Sequence, residues 1–112
     1  MSIRLEKPWH ELEEGEVARL GCELGVFQLG DRRGRVIRIG FAGGRSLFGL
    51  RGELAKELAR RAGQKVRFRL EITSQYLSRF EELLMIHKAD HGELPAENES
   101  DRGRRIGRLH PS

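Results

Sequence analysis

With 112 residues, 38% of them hydrophobic and 34% charged, the chain has room for one domain with a single modest core, and no apolar run is long enough to span a bilayer. The N-terminus has no signal-peptide pattern and the one cysteine, Cys22, cannot form an internal disulfide, so a soluble cytoplasmic protein without a membrane is expected. The net charge of +4 conceals a division: residues 32–69 carry 12 basic and 2 acidic side chains, whereas residues 1–31 and 70–98 each stand at −4. Such a basic block can attract a polyanion along one face, or it can neutralise the acidic segments around it; charge counting favours neither.

In residues 1–24, Trp9 is expected to cover one end of the core with Leu12, Val17 and Leu20 as partners. Glu11, Glu13, Glu14 and Glu16 read as a solvated face, and Cys22 as a small buried residue. Two short strands follow, Gly25–Gly30 and Arg35–Phe41, rich in β-branched and aromatic residues and punctuated by glycine. Between them, Asp31-Arg32-Arg33-Gly34 has the residues of a type I turn closed by a left-handed glycine. That geometry predicts one apolar face made of Phe27, Leu29, Ile37 and Ile39, with Gln28 and Arg38 on the other.

Gly43 to Ser46 reads as a flexible loop and Arg51–Ala62 as a helix, with Leu54, Leu58 and Ala62 inward, Lys56, Arg60 and Arg61 outward, and Gly63 as its stop. Residues 65–73 alternate: Val66, Phe68, Leu70 and Ile72 face the core, while Lys65, Arg67, Arg69 and Glu71 face outward. Ser74 suits the N-cap of a second helix that reaches about Ala89, with Tyr76, Leu77, Phe80, Leu83, Leu84 and His87 on one stripe and Gly92 and Pro95 ending it. The expected architecture is therefore α+β, a small three-stranded antiparallel sheet flanked by helices. It forms one domain over residues 1–98, followed by a flexible basic tail over residues 99–112.

The triplets Gly25-Val26-Phe27 and Arg38-Ile39-Gly40, ten residues apart on the hairpin, resemble the two signature triplets of the GIY-YIG nuclease fold. In order behind them come Arg51 near the start of a helix, Glu82 followed by the apolar Met85 and Ile86, and Pro95 with Asn98 three residues later. The resemblance spans roughly residues 17–98, and both signature tyrosines are replaced, by Phe27 and Arg38. It implies a divalent metal, Mg²⁺ or Mn²⁺, held by Glu82, with Glu81 as the rival carboxylate. It further implies Arg51 and Asn98 as catalytic residues, and Arg38, Arg45 and Phe27 toward a DNA or RNA substrate.

A hard cation takes carboxylate oxygen and a guanidinium grips two phosphate oxygens, so these residue types suit phosphodiester chemistry. Phenylalanine, however, cannot relay a proton, and arginine stays protonated at neutral pH. The expected function is nucleic-acid binding with weak or absent cleavage; an active metal-dependent nuclease and a protein-interaction module are the alternatives. His87 and His91, four apart, could share a helix face as metal ligands. They lack an evident third partner, and cationic histidines suit a helix C-terminus anyway.

Overall fold

The computed structural model describes residues 4–101. Four strands, β1 (His10–Glu11), β2 (Gly25–Gly30), β3 (Val36–Ala42) and β4 (Arg67–Ile72), form one antiparallel sheet in the order β1-β4-β2-β3. Helices α1 (Glu14–Ala18), α2 (Gly49–Arg60) and α3 (Tyr76–His91) surround it, and a 3₁₀ segment, Ala96–Asp101, closes the described chain. The class is α+β as expected, but the sheet has four strands rather than three. The extra one is the two-residue pairing of His10 with Phe68 and Glu11 with Arg67, too short to leave a period-2 pattern in the sequence.

Every residue of β2 is buried because the sheet is covered on both faces. Phe27 and Leu29 point to one face and pack with Ala42, Leu50, Leu54 and Phe68, so that face lies under α2. Val26 points to the other and packs with Ile39, Phe80, Leu83 and Leu84, under α3. Burying one such side chain contributes about 1.5–3 kcal/mol, so the two clusters together are the main source of stability.

The β2–β3 turn follows from its sequence. The Gly34 N–H donates to the Asp31 carbonyl at 3.0 Å, and Gly34 takes a φ of 84°, open to glycine without strain. Asp31 Oδ1 accepts from the backbone N–H groups of Arg33 and Arg35, both at 2.9 Å. Beyond the turn the expected facing fails. Leu29 pairs with Arg38 but Gly30 pairs with Val36, so Ile37 is the unpaired residue of a bulge. The bulge reverses the phase of β3. Ile37 still packs with the cluster of Phe27 and Leu29, but Ile39 moves to the α3 face and Arg38 to the α2 face.

Helix α2 begins two residues before Arg51. Its first amides are satisfied by the preceding loop: Leu50 N–H donates to the Glu23 carbonyl at 2.9 Å and Arg51 N–H to the Gly21 carbonyl at 3.2 Å. Phe48, just ahead, is the one described non-glycine residue with positive φ, at 64°. Ala62 falls beyond the helix and is exposed, and Arg61, expected outward, is 5% exposed. Residues 43–46 form a closed turn, with Ser46 N–H on the Gly43 carbonyl and Gly43 N–H on Ser46 Oγ, both at 2.9 Å.

Helix α3 starts at Tyr76 without a side-chain cap; Ser74 does not serve as one, and Thr73 Oγ1 accepts from the Gln75 N–H instead. It ends at a left-handed Gly92, as expected. Its stripe is buried or half-buried except for Leu77, and Ile72 at the end of β4 is also exposed. Cys22, expected buried, is exposed. Trp9 lies on the α3 face of the sheet over Gly30 and Arg69, away from Leu12 and Val17 on the α2 face. The expected tail boundary at Glu99 falls inside the 3₁₀ segment; residues 102–112 lie outside the described residues.

Candidate functional site

Of the residues expected to form a catalytic site, the fold brings together Arg38, Phe27 and Asn98. They line a small cleft beside Gly40, Glu53 and Asp101. Phe27 is 1% exposed and its ring lies over Gly40, where a Cβ would collide with it. The glycine of the second triplet is thus required by packing, and Phe27 is a core residue.

Asn98 is equally enclosed, and its amide is fully engaged. Ile39 N–H donates to Asn98 Oδ1 at 2.8 Å, and Asn98 Nδ2 donates to the Ile39 carbonyl at 2.9 Å and to Asp101 Oδ2 at 3.0 Å. β3 is an edge strand, and Asn98 pairs with it as a further strand would, satisfying a backbone N–H and C=O that would otherwise be open.

Arg38 sits in an ion network built by the phase reversal of β3. Its Nε donates to Glu57 Oε2 at 2.9 Å and its Nη1 to the Glu97 carbonyl at 3.4 Å. Glu57, only 5% exposed, also accepts from Arg61 Nε at 3.1 Å, and both Arg61 Nη atoms donate to the Glu97 carboxylate. Burial acts against the Arg61 cation, but the Glu97 and Glu57 carboxylates outweigh it and raise its pKa. The hydrogen bonds from Arg61 correspondingly hold Glu97 below the usual glutamate value. This network fastens the 3₁₀ segment to α2 and β3.

The other expected residues lie elsewhere. Arg51 is exposed on α2 and donates through Nη2 to the Ala18 carbonyl at 2.8 Å, facing α1. Glu82 and Glu81 are on α3, which covers the opposite face of the sheet from α2. Arg45 is exposed in the turn after β3, at the other end of the strands from the β2–β3 turn. The implied convergence of Arg38, Arg51 and Glu82 on one ligand is not formed.

Nor do the donors near Glu82 suit a divalent ion. Glu82 Oε1 accepts from Arg79 Nη1 at 2.7 Å, and Arg79 is clamped at 3.0 Å by both oxygens of Glu71, so a guanidinium already neutralises these two carboxylates. No group of three or more His, Cys, Asp or Glu among the described residues could hold a metal ion. Tyr76 is half-buried: its ring stacks on Phe41 and its hydroxyl accepts from the Gly44 N–H, so it anchors the turn after β3.

The basic block is divided by the fold. Besides Arg38 and Arg61, Arg60 reaches Glu57 and Glu97, Lys56 reaches Glu53, and Arg32 is paired with Glu11 at 2.7 Å. Arg67 donates to the Asp31 and Arg32 carbonyls, stiffening the hairpin turn. Arg33, Arg35 and Lys65 remain at the same end of the sheet, exposed and without a salt bridge among the described residues, although the Asp31 carboxylate acts on Arg35 and Arg33 through space. Asp31, the acid nearest to them in sequence, is committed to the turn. The N–H groups of Arg35 and then Arg33 hold its pKa down. Charge counting singled out the block, but not which of its members stay available.

A family model described as a domain of unknown function (DUF7508) matches residues 3–90, well over half of the chain. The chain belongs to this family. The match takes in the whole sheet, α1, α2 and all but the last residue of α3, and ends ahead of the 3₁₀ segment that carries Glu97 and Asn98. No curated protein and no solved structure matches this DUF7508 chain. Among the described residues, no helix is long and apolar enough to cross a membrane.

Proposed function

We propose that this domain binds DNA or RNA through the β2–β3 hairpin end and cleaves it weakly or not at all. One observation carries the reading: Arg33, Arg35 and Lys65 stay exposed at that end and form no salt bridge among the described residues, while most of the basic block is held by carboxylates or backbone carbonyls. A two-stranded ribbon tipped with arginines is narrow enough for a nucleic-acid groove, and arginine grips phosphate in a bidentate way. The resemblance of the hairpin triplets to the GIY-YIG fold supports a nucleic-acid ligand. The separation of Arg51 from Glu82, and the ion pair that holds Glu82, support binding over metal-assisted cleavage.

The test is binding to duplex DNA and to RNA across a salt series, with the Arg33→Ala/Arg35→Ala double variant beside the natural protein. Each phosphate contact contributes about 0.9 to the slope of log affinity against log salt on B-form DNA, so the double variant is expected to lose about 2 from that slope. Unchanged salt dependence in the double variant overturns the hairpin assignment. Cleavage in Mg²⁺ or Mn²⁺ that Glu82→Ala abolishes replaces this reading with an active nuclease. If neither binding nor cleavage is seen at low salt, the protein-interaction module becomes the better account.

A further inference from the structure

A cleft of about 1090 Å³ lies between the β2–β3 turn, the C-terminal turn of α3 and the segment that follows it. Arg33 and Arg35 of the hairpin, Arg69 of β4, and His87 and His91 of α3 all line it. We propose that this cleft is a binding site for a phosphate monoester, held by Arg69 and the His87–His91 pair and closed off by Arg35.

Arg69 is the first reason. Its guanidinium is half-buried, stacks at 4.2 Å on the Trp9 ring, and donates to Gln28 Oε1 at 2.8 Å and the Lys7 carbonyl at 3.4 Å. No salt bridge reaches it from a carboxylate among the described residues, in contrast to Arg38, Arg61 and Arg79, and burial lowers its pKa against the opposing charge of Glu6. A half-buried arginine whose hydrogen bonds go only to neutral groups, and which lines a cleft, is suited to receive an anion.

The histidines are the second reason. Their rings lie 4.4 Å apart, and His87 Nδ1 is 2.9 Å from the Glu93 carbonyl. A carbonyl can only accept, so Nδ1 carries the hydrogen and neutral His87 leaves Nε2 without one. Burial, and then the neighbouring His91, lower the His87 pKa, against the Glu93 carbonyl, Asp90 and the Glu93 carboxylate. The two rings are in contact, so a second positive charge on the pair would be unfavourable, and an anion in the cleft beside both rings offsets that repulsion.

The carboxylates of Asp90 and Glu93 favour charge on His87, but burial outweighs them. Asp90 is held by Arg4 through two hydrogen bonds, at 3.0 and 2.7 Å, and Asp31 by the turn amides; Glu93 and Glu99 also line the cleft and are exposed. A phosphate monoester fits better than a carboxylate or a diester because its second ionisation, near pKa 6, overlaps the range in which histidine titrates. Its dianion and the imidazolium can therefore share a proton.

The cleft shares Arg33 and Arg35 with the proposed nucleic-acid face, and its ligand is either the terminal phosphate of a strand or a free phosphate ester. The test titrates the protein with inorganic phosphate between about pH 5 and 8, reading the imidazole proton shifts of His87 and His91. It then compares a terminally phosphorylated oligonucleotide with its unphosphorylated twin and with a small phosphate monoester. Inorganic phosphate is expected to raise the apparent pKa of His87. The loss of one charge-assisted contact in His91→Gln or Arg69→Gln is expected to weaken phosphate binding about tenfold.

His91 is exposed and its replacement disturbs no core, so that variant keeps the test informative if Arg69→Gln unfolds. Discrimination between the two oligonucleotides assigns a strand terminus, and binding of the small ester without that discrimination assigns a free ligand. No histidine shift with phosphate, and equal affinity for the two oligonucleotides, overturns the site while leaving hairpin binding intact. Phosphate binding without any oligonucleotide binding keeps the site and overturns the nucleic-acid reading.

Discussion

Replacing Asn98 with alanine is expected to destabilise the fold by about 2–4 kcal/mol. The change removes both hydrogen bonds that Asn98 makes to the Ile39 backbone, at 2.8 and 2.9 Å, in a place where the side chain is 1% exposed. Each such bond contributes about 0.5–1.5 kcal/mol net, and a buried N–H or C=O left open costs about 1–3 kcal/mol. Because β3 is an edge strand, water can reach part of the gap, which places the expected loss below the sum of the upper limits. Against a domain stability of about 5–15 kcal/mol, a loss of this size is easily measured.

Asn98→Asp sharpens the test. It keeps an acceptor for the Ile39 N–H but sets an oxygen against the Ile39 carbonyl and a second carboxylate beside Asp101, so at neutral pH it is expected to be no milder than alanine. Urea denaturation followed by circular dichroism gives the free energies, and hydrogen exchange at the Ile39 amide reports the local opening. A change under about 0.5 kcal/mol with unaltered Ile39 exchange would refute the edge-pairing role and return Asn98 to the candidates for chemistry.

Phe48→Asn is expected to raise stability by up to about 1 kcal/mol, since asparagine tolerates the left-handed φ of 64° and the residue is 64% exposed; a lowered urea midpoint would show that the ring packs usefully. Gly30→Ala would bring a Cβ to 2.5 Å from the Trp9 ring, so a red-shifted tryptophan emission and a loss of about 1–3 kcal/mol are expected. Unchanged emission contradicts the placement of Trp9. Glu97, held below its ordinary value of 4.5 by Arg61, contributes stability that is present above that value and lost as pH falls through the lower folded one. Glu97→Gln should therefore flatten the acid limb of the stability profile, and an identical slope in both proteins would exclude this ion pair as a contributor.

Where structure depends on a few neighbouring residues, the sequence alone determined it. Asp31 and Gly34 dictate the hairpin turn, the alternation from Val66 to Leu70 dictates a half-buried strand, and the stripe ending at Gly92 dictates α3. The basic block was visible too, as a charge count.

Only the tertiary structure decided which side of the sheet each candidate reaches and which cations remain unpaired. One bulge residue, Ile37, exchanges the faces of Arg38 and Ile39, and no local pattern announces it. The partners that occupy Arg38, Arg61 and Asn98 come from 19, 36 and 59 residues away, brought near by the sheet and α2. Arg51 and Glu82 follow one another in the order the resemblance requires, yet they sit on helices covering opposite faces. Linear order fixes the sequence of elements along the chain; the side of the sheet on which a helix packs is set by the apolar surface it buries there, and that is a property of the assembled core.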